Sequence, residues 1–303
     1  MIRLPRPHYA KLISCLENSQ LPRIDHEKLH EALEKYNQWI KILEQVDSYQ
    51  KNTIEKLVTA TNQYKRFIEL DLIFDSPENF LYRQKGQLKL DNTILEEFLP
   101  QLLLKSLRNL NNSFELGPRK TFSGLTFLSS VGNSGEAGHP QIRTKDQDFI
   151  IGKKLYLKTS FNENFDQSDL LESYLGYVCI ECKTNLDKTM FQEAVATSRD
   201  LKIAVPGSLY FLVCEFLDMT PVSILSTNID DVLIVRKSKR MPARIRQEYK
   251  TPEARKKFRQ EYANFLDSSQ YYPDVFKRMV NKIQSVIDDI NPSLDQVLSQ
   301  GHF

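Results

Sequence analysis

The period of the hydrophobic positions changes along the chain. In the first hundred residues they recur as on one face of a helix. Leu29, Leu33, Tyr36, Ile40 and Leu43 form one such stripe, with Asp25 as the expected N-cap. Ile54, Leu57, Val58, Tyr64 and Ile68 form a second, with Thr61 filling the turn between. A third helix is predicted from Ile94 to Leu107, capped by Asp91 or Asn92; Pro100 lies inside it as a point of kinking or splitting. After Asn112 the texture becomes short β-rich runs: Phe122–Leu128, Phe149–Leu157, Tyr177–Lys183, Ser208–Phe216 and Val232–Val235. A helix is predicted from Lys188 to Leu201, where Phe191, Ala194, Val195 and Ser198 share a face. Residues 129–145 hold three glycines and a proline and read as a loop. Val275, Phe276, Met279, Val280, Ile283, Val286 and Ile287 mark a C-terminal amphipathic helix.

The order is therefore helix, three strands, helix, two strands: an α/β chain with a mixed sheet. We divide it into a helical N-terminal region (1–75), a core (76–235) and a basic segment with a C-terminal helix (236–303). At 303 residues, 41% hydrophobic and 26% charged, the composition is that of a soluble globular protein. No apolar run approaches the roughly 18 residues of a membrane span, and the start lacks the apolar stretch of a signal peptide. Four cysteines are too few for a disulfide scaffold, so the expected compartment is a reducing cytoplasm. Net charge is only +2, but from Arg236 to Arg259 eleven residues are Lys or Arg, against Glu248 and Glu253. Such a local excess suits phosphate neutralisation; its bland alternative is a mobile, solvated basic segment.

The candidate chemistry lies in YVCIECKT, residues 177–184. On a strand Glu181 and Lys183 project to one face while Val178, Ile180 and Cys182 face the other. Opposite charges on an apolar strand need pairing or a metal to offset burial. Acid-x-Lys also occurs at Asp200-Lys202 and Glu248-Lys250, but only the first triplet lies in an apolar β run. A neighbouring strand opens with Asp148, directly before Phe149-Ile150-Ile151. Two carboxylates supply hard oxygen ligands suited to Mg²⁺, and a lysine beside them can orient a water or stabilise developing charge. The bland reading of the same residues is an ion pair at a strand end.

Asp148, 32 further residues and then Glu181-x-Lys183 resemble the PD-(D/E)xK nuclease signature. Within that group the chain is similar to type II restriction endonucleases of the BbvCI kind. The residues that carry this are FLYRQKGQLKLDNTILEEFLP (80–100), FELGPRKTFSGLTF (114–127) and above all IECKTNLDKTMFQEA (180–194). The resemblance implies a restriction-endonuclease-like αβββαβ core that hydrolyses double-stranded DNA with Mg²⁺, one strand per subunit. Its implied partner is a homologous second subunit forming a heterodimer, with a homodimer as the alternative. By the same resemblance Asp148, Glu181 and the Cys182 carbonyl hold the ion, and Lys183 acts on the attacking water. Glu96 or Glu97 stands where some members add a carboxylate, and Lys188 and Gln192 lie within reach of the scissile phosphate. The family's Pro-Asp pair is absent, Gln147 preceding Asp148, so Asp146 competes for the first ligand position. Asp148 is preferred because it abuts the apolar run.

Expected DNA contacts are Arg143 and Lys145 from the loop, and Arg236, Lys237, Lys239, Arg240, Arg244 and Arg246 from the basic segment. Three rival readings stand beside this one. They are a nuclease without sequence specificity, a catalytically silent DNA-binding subunit, and a zinc protease suggested by His26, Glu27 and His30 in HEKLH. Cys179 and Cys182 are formally CxxC, but on a strand they point to opposite faces, which suits neither a disulfide nor a shared metal. Trp39 reads as core.

Overall fold

A computed structural model describes residues 4–110, 113–288 and 294–301. Its N-terminal half begins with helices α1 (Pro7–Leu16), α2 (Arg23–Gln45) and α3 (Thr53–Arg66). The first stripe is buried as its spacing requires, at Leu29, Tyr36, Ile40 and Leu43, with Leu33 packed at its edge. The start of α2 differs from expectation. Pro22, in extended geometry, sets it, and Asp25 sits fully buried within the first turn without capping any backbone N–H. Trp39 is core, stacked on Tyr64 at 4.7 Å.

α3 runs without a break into a π-helical segment, Phe67–Phe74. That stretch, FIELDLIF, is apolar almost all round and is buried almost all round. A short helix α4 (Asn79–Arg83) and a single 3₁₀ turn (Gly86–Leu88) lead to α5 (Thr93–Ser106). α5 is one continuous helix: Pro100 neither splits nor ends it. Asp91 does not cap it either, since its carboxylate accepts from the Gly86 N–H (2.9 Å), and Asn92 makes no side-chain cap.

Five strands follow, β1 (Glu115–Phe127), β2 (Pro140–Thr159), β3 (Asp169–Leu186), β4 (Leu209–Leu217) and β5 (Asp231–Lys239), with α6 (Lys188–Ala204) between β3 and β4. They form one sheet in sequence order, β1–β2 and β2–β3 antiparallel, β3–β4 and β4–β5 parallel. Both faces of its centre are covered, which is why β3 and β4 read as apolar runs. Phe149, Ile151, Val178, Ile180, Phe211, Val213, Leu233 and Val235 join the core of the N-terminal helices. Ile150, Cys179, Tyr210, Leu212 and Cys214 pack with Phe191, Ala194 and Leu201 of α6 on the other face. One apolar core runs from Leu12 to Ile283, so the three sequence regions share it.

The first three strands are longer than their apolar runs. Pro140 to Lys145, expected as loop, is the first third of β2, paired with Thr121 to Phe127 of β1; only residues 128–139 form the connection.

The basic segment is also ordered. It forms the end of β5, α7 (Ala243–Glu248), α8 (Pro252–Lys257) and the start of α9 (Arg259–Ser268), before α10 (Pro273–Ile287) and α11 (Leu294–Gln300). Arg255 pins it. Fully buried, its guanidinium donates to the carbonyls of Phe74 (2.8 Å), Ser76 (2.9 Å) and Glu78 (3.0 Å), tying the basic segment to the turn between the π-helix and α4. Among the described residues no helix is long and apolar enough to cross a membrane.

Candidate active site

β2 leaves β3 at one point. The last paired residues are Phe149 and Ile180, and beyond them β2 continues only against β1. The departure coincides with a bulge: between Gly117 and Arg119 β1 advances two residues while β2 advances three, from Ile150 to Gln147. The N–H of Cys182 then lacks a strand partner on that side, and the Asp148 carboxylate supplies one, Oδ2 accepting at 2.8 Å. The bulge therefore places an acid from β2 directly against the acid-x-Lys triplet of β3.

On β3, Glu181 and Lys183 share a side, as period two requires, and their charged ends meet at 2.7 Å. The second Glu181 oxygen accepts from the hydroxyl of Tyr210 on β4 at 2.5 Å. Tyr210 is fully buried, and burial together with the Glu181 charge pushes its phenol above the ordinary range. Burial works against the Lys183 ammonium, but the bond to Glu181 and the Asp148 charge outweigh it, so its pKa is raised and the amine stays charged. The Asp148 pKa is raised by burial and by Glu181, against the lowering influence of the Cys182 N–H, Lys89 and Lys183.

A third carboxylate approaches from α5. Glu96 pairs with Lys89 at 3.1 Å, and its pKa is raised by burial and by the Asp148 charge. Lys89 holds a left-handed backbone conformation (φ 63°) at the end of the 3₁₀ turn. A non-glycine residue in that region stores strain of order 1–3 kcal/mol, a feature that clusters at functional sites.

A model of the Bpu10I restriction endonuclease family matches residues 87–303, the span that contains every group just described. The chain belongs to that family. It also shares its fold with a chain of the solved native BbvCI A2B2 tetramer, with a TM-score of 0.60 and 20% identity, covering 88% of this chain and 96% of that one. No curated protein matches it.

Other residues anticipated for a restriction endonuclease fall into three groups. Some are simply exposed: Lys188 and Gln192 stand on the first turns of α6, where the charge of Glu193 acts on Lys183. Asp146 is exposed on the part of β2 that pairs with Lys120, beyond the bulge.

Two are spent elsewhere. Glu97 points into the helical layer, accepting from the His8 and Tyr9 N–H groups (2.8 and 3.2 Å) and from the Tyr36 hydroxyl (2.5 Å). It is structural, and of the adjacent pair only Glu96 joins the cluster. Arg236 is 3% exposed and bonds to Glu215, Glu69 and the Ser269 carbonyl (2.6–2.8 Å), so it is unavailable to DNA.

The remaining cations are accessible to differing degrees. Arg143 lies over β1, where its guanidinium occupies the space a Cβ at Gly124 would need (2.6 Å). Lys145 pairs with Asp200 (2.8 Å), Lys237 with Asp274 (2.5 Å) and Arg240 with Asp218 (2.7 Å). Lys239 and Arg244 are exposed, and Arg246 is half-buried. His26, Glu27 and His30 lie exposed on α2. All four cysteines are free thiols, Cys179 and Cys182 packing on opposite sides of the sheet.

The donor set fits a hard divalent cation. Asp148 keeps one oxygen unengaged by Cys182, Glu181 acts on it electrostatically with its own two oxygens held by Lys183 and Tyr210, and the Cys182 carbonyl belongs to the strand of Glu181. Among the described residues no three or more His, Cys, Asp or Glu side chains are grouped so as to hold a metal ion between them. A two-carboxylate opening of this kind suits Mg²⁺, which retains several waters. Tyr210, Lys89 and Glu193 escaped the sequence reading. Lys89 and Glu193 carried a signal, lying within the family-like stretches 80–100 and 180–194.

Proposed function

We propose that the chain is a subunit of a type II restriction endonuclease that hydrolyses one strand of double-stranded DNA per active site with Mg²⁺. The observation that carries this reading is the meeting of Asp148, Glu181 and Lys183 at the point where β2 leaves β3. Asp148, Glu181 and the Cys182 carbonyl would hold the cation, with Glu96 behind them. When bound, it supplies Lewis acidity toward a phosphoryl oxygen and acidifies a coordinated water.

The chain's own residues do the rest. Lys183, kept protonated by Glu181 and Asp148, presents a fixed N–H donor to the attacking water or to the charge developing on phosphorus oxygens. Tyr210 keeps Glu181 from rotating away. Lys188 and Gln192 reach outward from the start of α6 toward the strand being cut.

A single site of this kind cuts one strand, and double-strand cleavage takes two. The A2B2 assembly named for BbvCI supports a homologous partner chain, and hence an asymmetric target sequence. Glu181→Ala and Lys183→Ala should each abolish cleavage of a phage genome, read on a gel, while leaving duplex binding within a few-fold. Undiminished cutting in both variants removes the assignment, and a smear in place of discrete fragments with the parent protein removes the sequence specificity.

A further inference from the structure

Immediately beyond Lys183, residues Thr184 and Asn185 form one wall of a separate cavity of about 150 Å³. Its other walls come from the turn before α5, the end of β4, the residues after β5, α7 and α9. Three cations line it from three different segments: Lys85, Arg240 and Arg246. Two acids also line it, and both are committed. Glu69 is bound by Arg236 and Lys65, and Asp91 accepts from the Gly86 N–H.

Arg240 pairs with Asp218 (2.7 Å), but Lys85 and Arg246 are poorly balanced. Among the described residues no carboxylate forms an ion pair with Lys85 or with Arg246; Lys85 lies over the Tyr82 ring (3.6 Å) and Arg246 donates to the Met241 carbonyl (3.0 Å). Burial, with Arg255 and Arg246 as like charges and against the opposing charge of Asp91, lowers the Lys85 pKa to about 8, and burial with Arg240, against Asp218, lowers that of Arg246. The Thr184 hydroxyl is buried without a hydrogen-bond partner. A cavity that gathers two cations without a carboxylate ion-pair partner, a third cation shared with Asp218, and an orphan hydroxyl is built to receive an anion with several acceptor oxygens.

We propose that this cavity is a phosphate-binding site, in which Lys85, Arg240, Arg246 and Thr184 hold a backbone phosphate of the strand being cut, next to the scissile one. It rests on the nuclease reading for the source of the phosphate. The distance along β3 fits: Asn185, the next residue on the strand face of Lys183, lies roughly 7 Å beyond it, comparable with the step between neighbouring phosphates. A second anchor at that spacing fixes the direction of the strand across the active site and aligns the bond to be broken.

The test uses Lys85→Gln and Arg246→Gln in the full chain, with Lys41→Gln, an exposed lysine on α2, as control. Binding of a labelled random-sequence duplex is measured by anisotropy with Ca²⁺ across a salt series, and thermal unfolding with and without inorganic phosphate. Each cavity variant should bind the duplex roughly tenfold more weakly at low salt, with the slope of log K against log salt smaller by about 0.9. Phosphate should raise the unfolding temperature of the parent and of Lys41→Gln, but of neither cavity variant. If only the phosphate effect is lost, the site takes free phosphate and the DNA contact is overturned. If neither changes, the proposal fails outright. Should the parent bind no DNA, the nuclease reading fails while the phosphate arm still judges the cavity.

Discussion

Tyr210→Phe is the sharpest probe of how the site is held. The substitution removes one oxygen from a fully buried ring and leaves its packing between β3 and α6 intact. Glu181 has two anchors, the Lys183 ammonium at 2.7 Å and the Tyr210 hydroxyl at 2.5 Å. Hydrogen bonds to charged groups contribute about 1.5–3 kcal/mol, and without the hydroxyl that stabilisation of one Glu181 orientation is lost. Partners that orient a metal-ligating carboxylate typically change metal affinity or activity by roughly 10- to 100-fold. The variant should therefore need roughly tenfold or more Mg²⁺ for half-maximal cleavage, with the rate at saturating Mg²⁺ recovering to within a few-fold. The assay is cleavage rate against Mg²⁺ concentration, supported by calorimetric titration of the protein without DNA. A Mg²⁺ dependence that does not move, in a folded variant, would refute the idea that Tyr210 positions Glu181.

Two further predictions concern residues whose roles the fold decides. Arg236→Met should lower unfolding free energy by about 3–5 kcal/mol, because it leaves Glu69 and Glu215 buried with Lys65 alone; urea unfolding checks this, and unchanged stability with lost DNA binding would restore Arg236 to the DNA surface. His8 is buried between Tyr64 and Thr93, and burial with the nearby Lys65 charge lowers its pKa from the usual 6.5 to about 3. The unfolded chain takes up that proton first as pH falls. The stability His8 contributes is therefore complete above pH 6.5 and is lost toward pH 3, by about 2 kcal/mol on reaching pH 5. In His8→Gln the loss of urea midpoint between pH 7 and pH 5 should be smaller; an identical loss would contradict a neutral His8.

What the sequence reveals here depends on whether a residue's role is set locally. Buried helix stripes and the central apolar strands are legible because one face of a regular element carries the pattern. The outer thirds of β1, β2 and β3 are not: PQIRTK and DLLESY carry mixed polar positions, and only cross-strand pairing makes them strands. Whether the basic segment is ordered or a solvated stretch is not legible in its composition, because its anchor, Arg255, acts through carbonyls of residues 74–78, nearly two hundred positions away. Glu96 and Glu97 are neighbours in sequence yet about 100° apart around α5. One turns toward Asp148 and the other toward the N-terminal arm, and nothing within the helix says which. Arg236 belongs to a run of cations, but an irregular register between β4 and β5 delivers it into the interior.

The bulge between β1 and β2 is why Asp148, not Asp146, meets the acid-x-Lys triplet. Both are acids on β2, two residues apart, and strand periodicity alone assigns them to one face. The bulge breaks that equivalence. Once β2 has left β3 after Phe149, a single acceptor is needed for the exposed Cys182 N–H, and only the residue inside the bulge is near enough to provide it. Asp146 lies past the bulge, in register with Lys120 and exposed. The carboxylate that caps the broken ladder is thus also the one held beside Glu181 and Lys183, and a single hydrogen bond joins the departure of the strand to the assembly of the site.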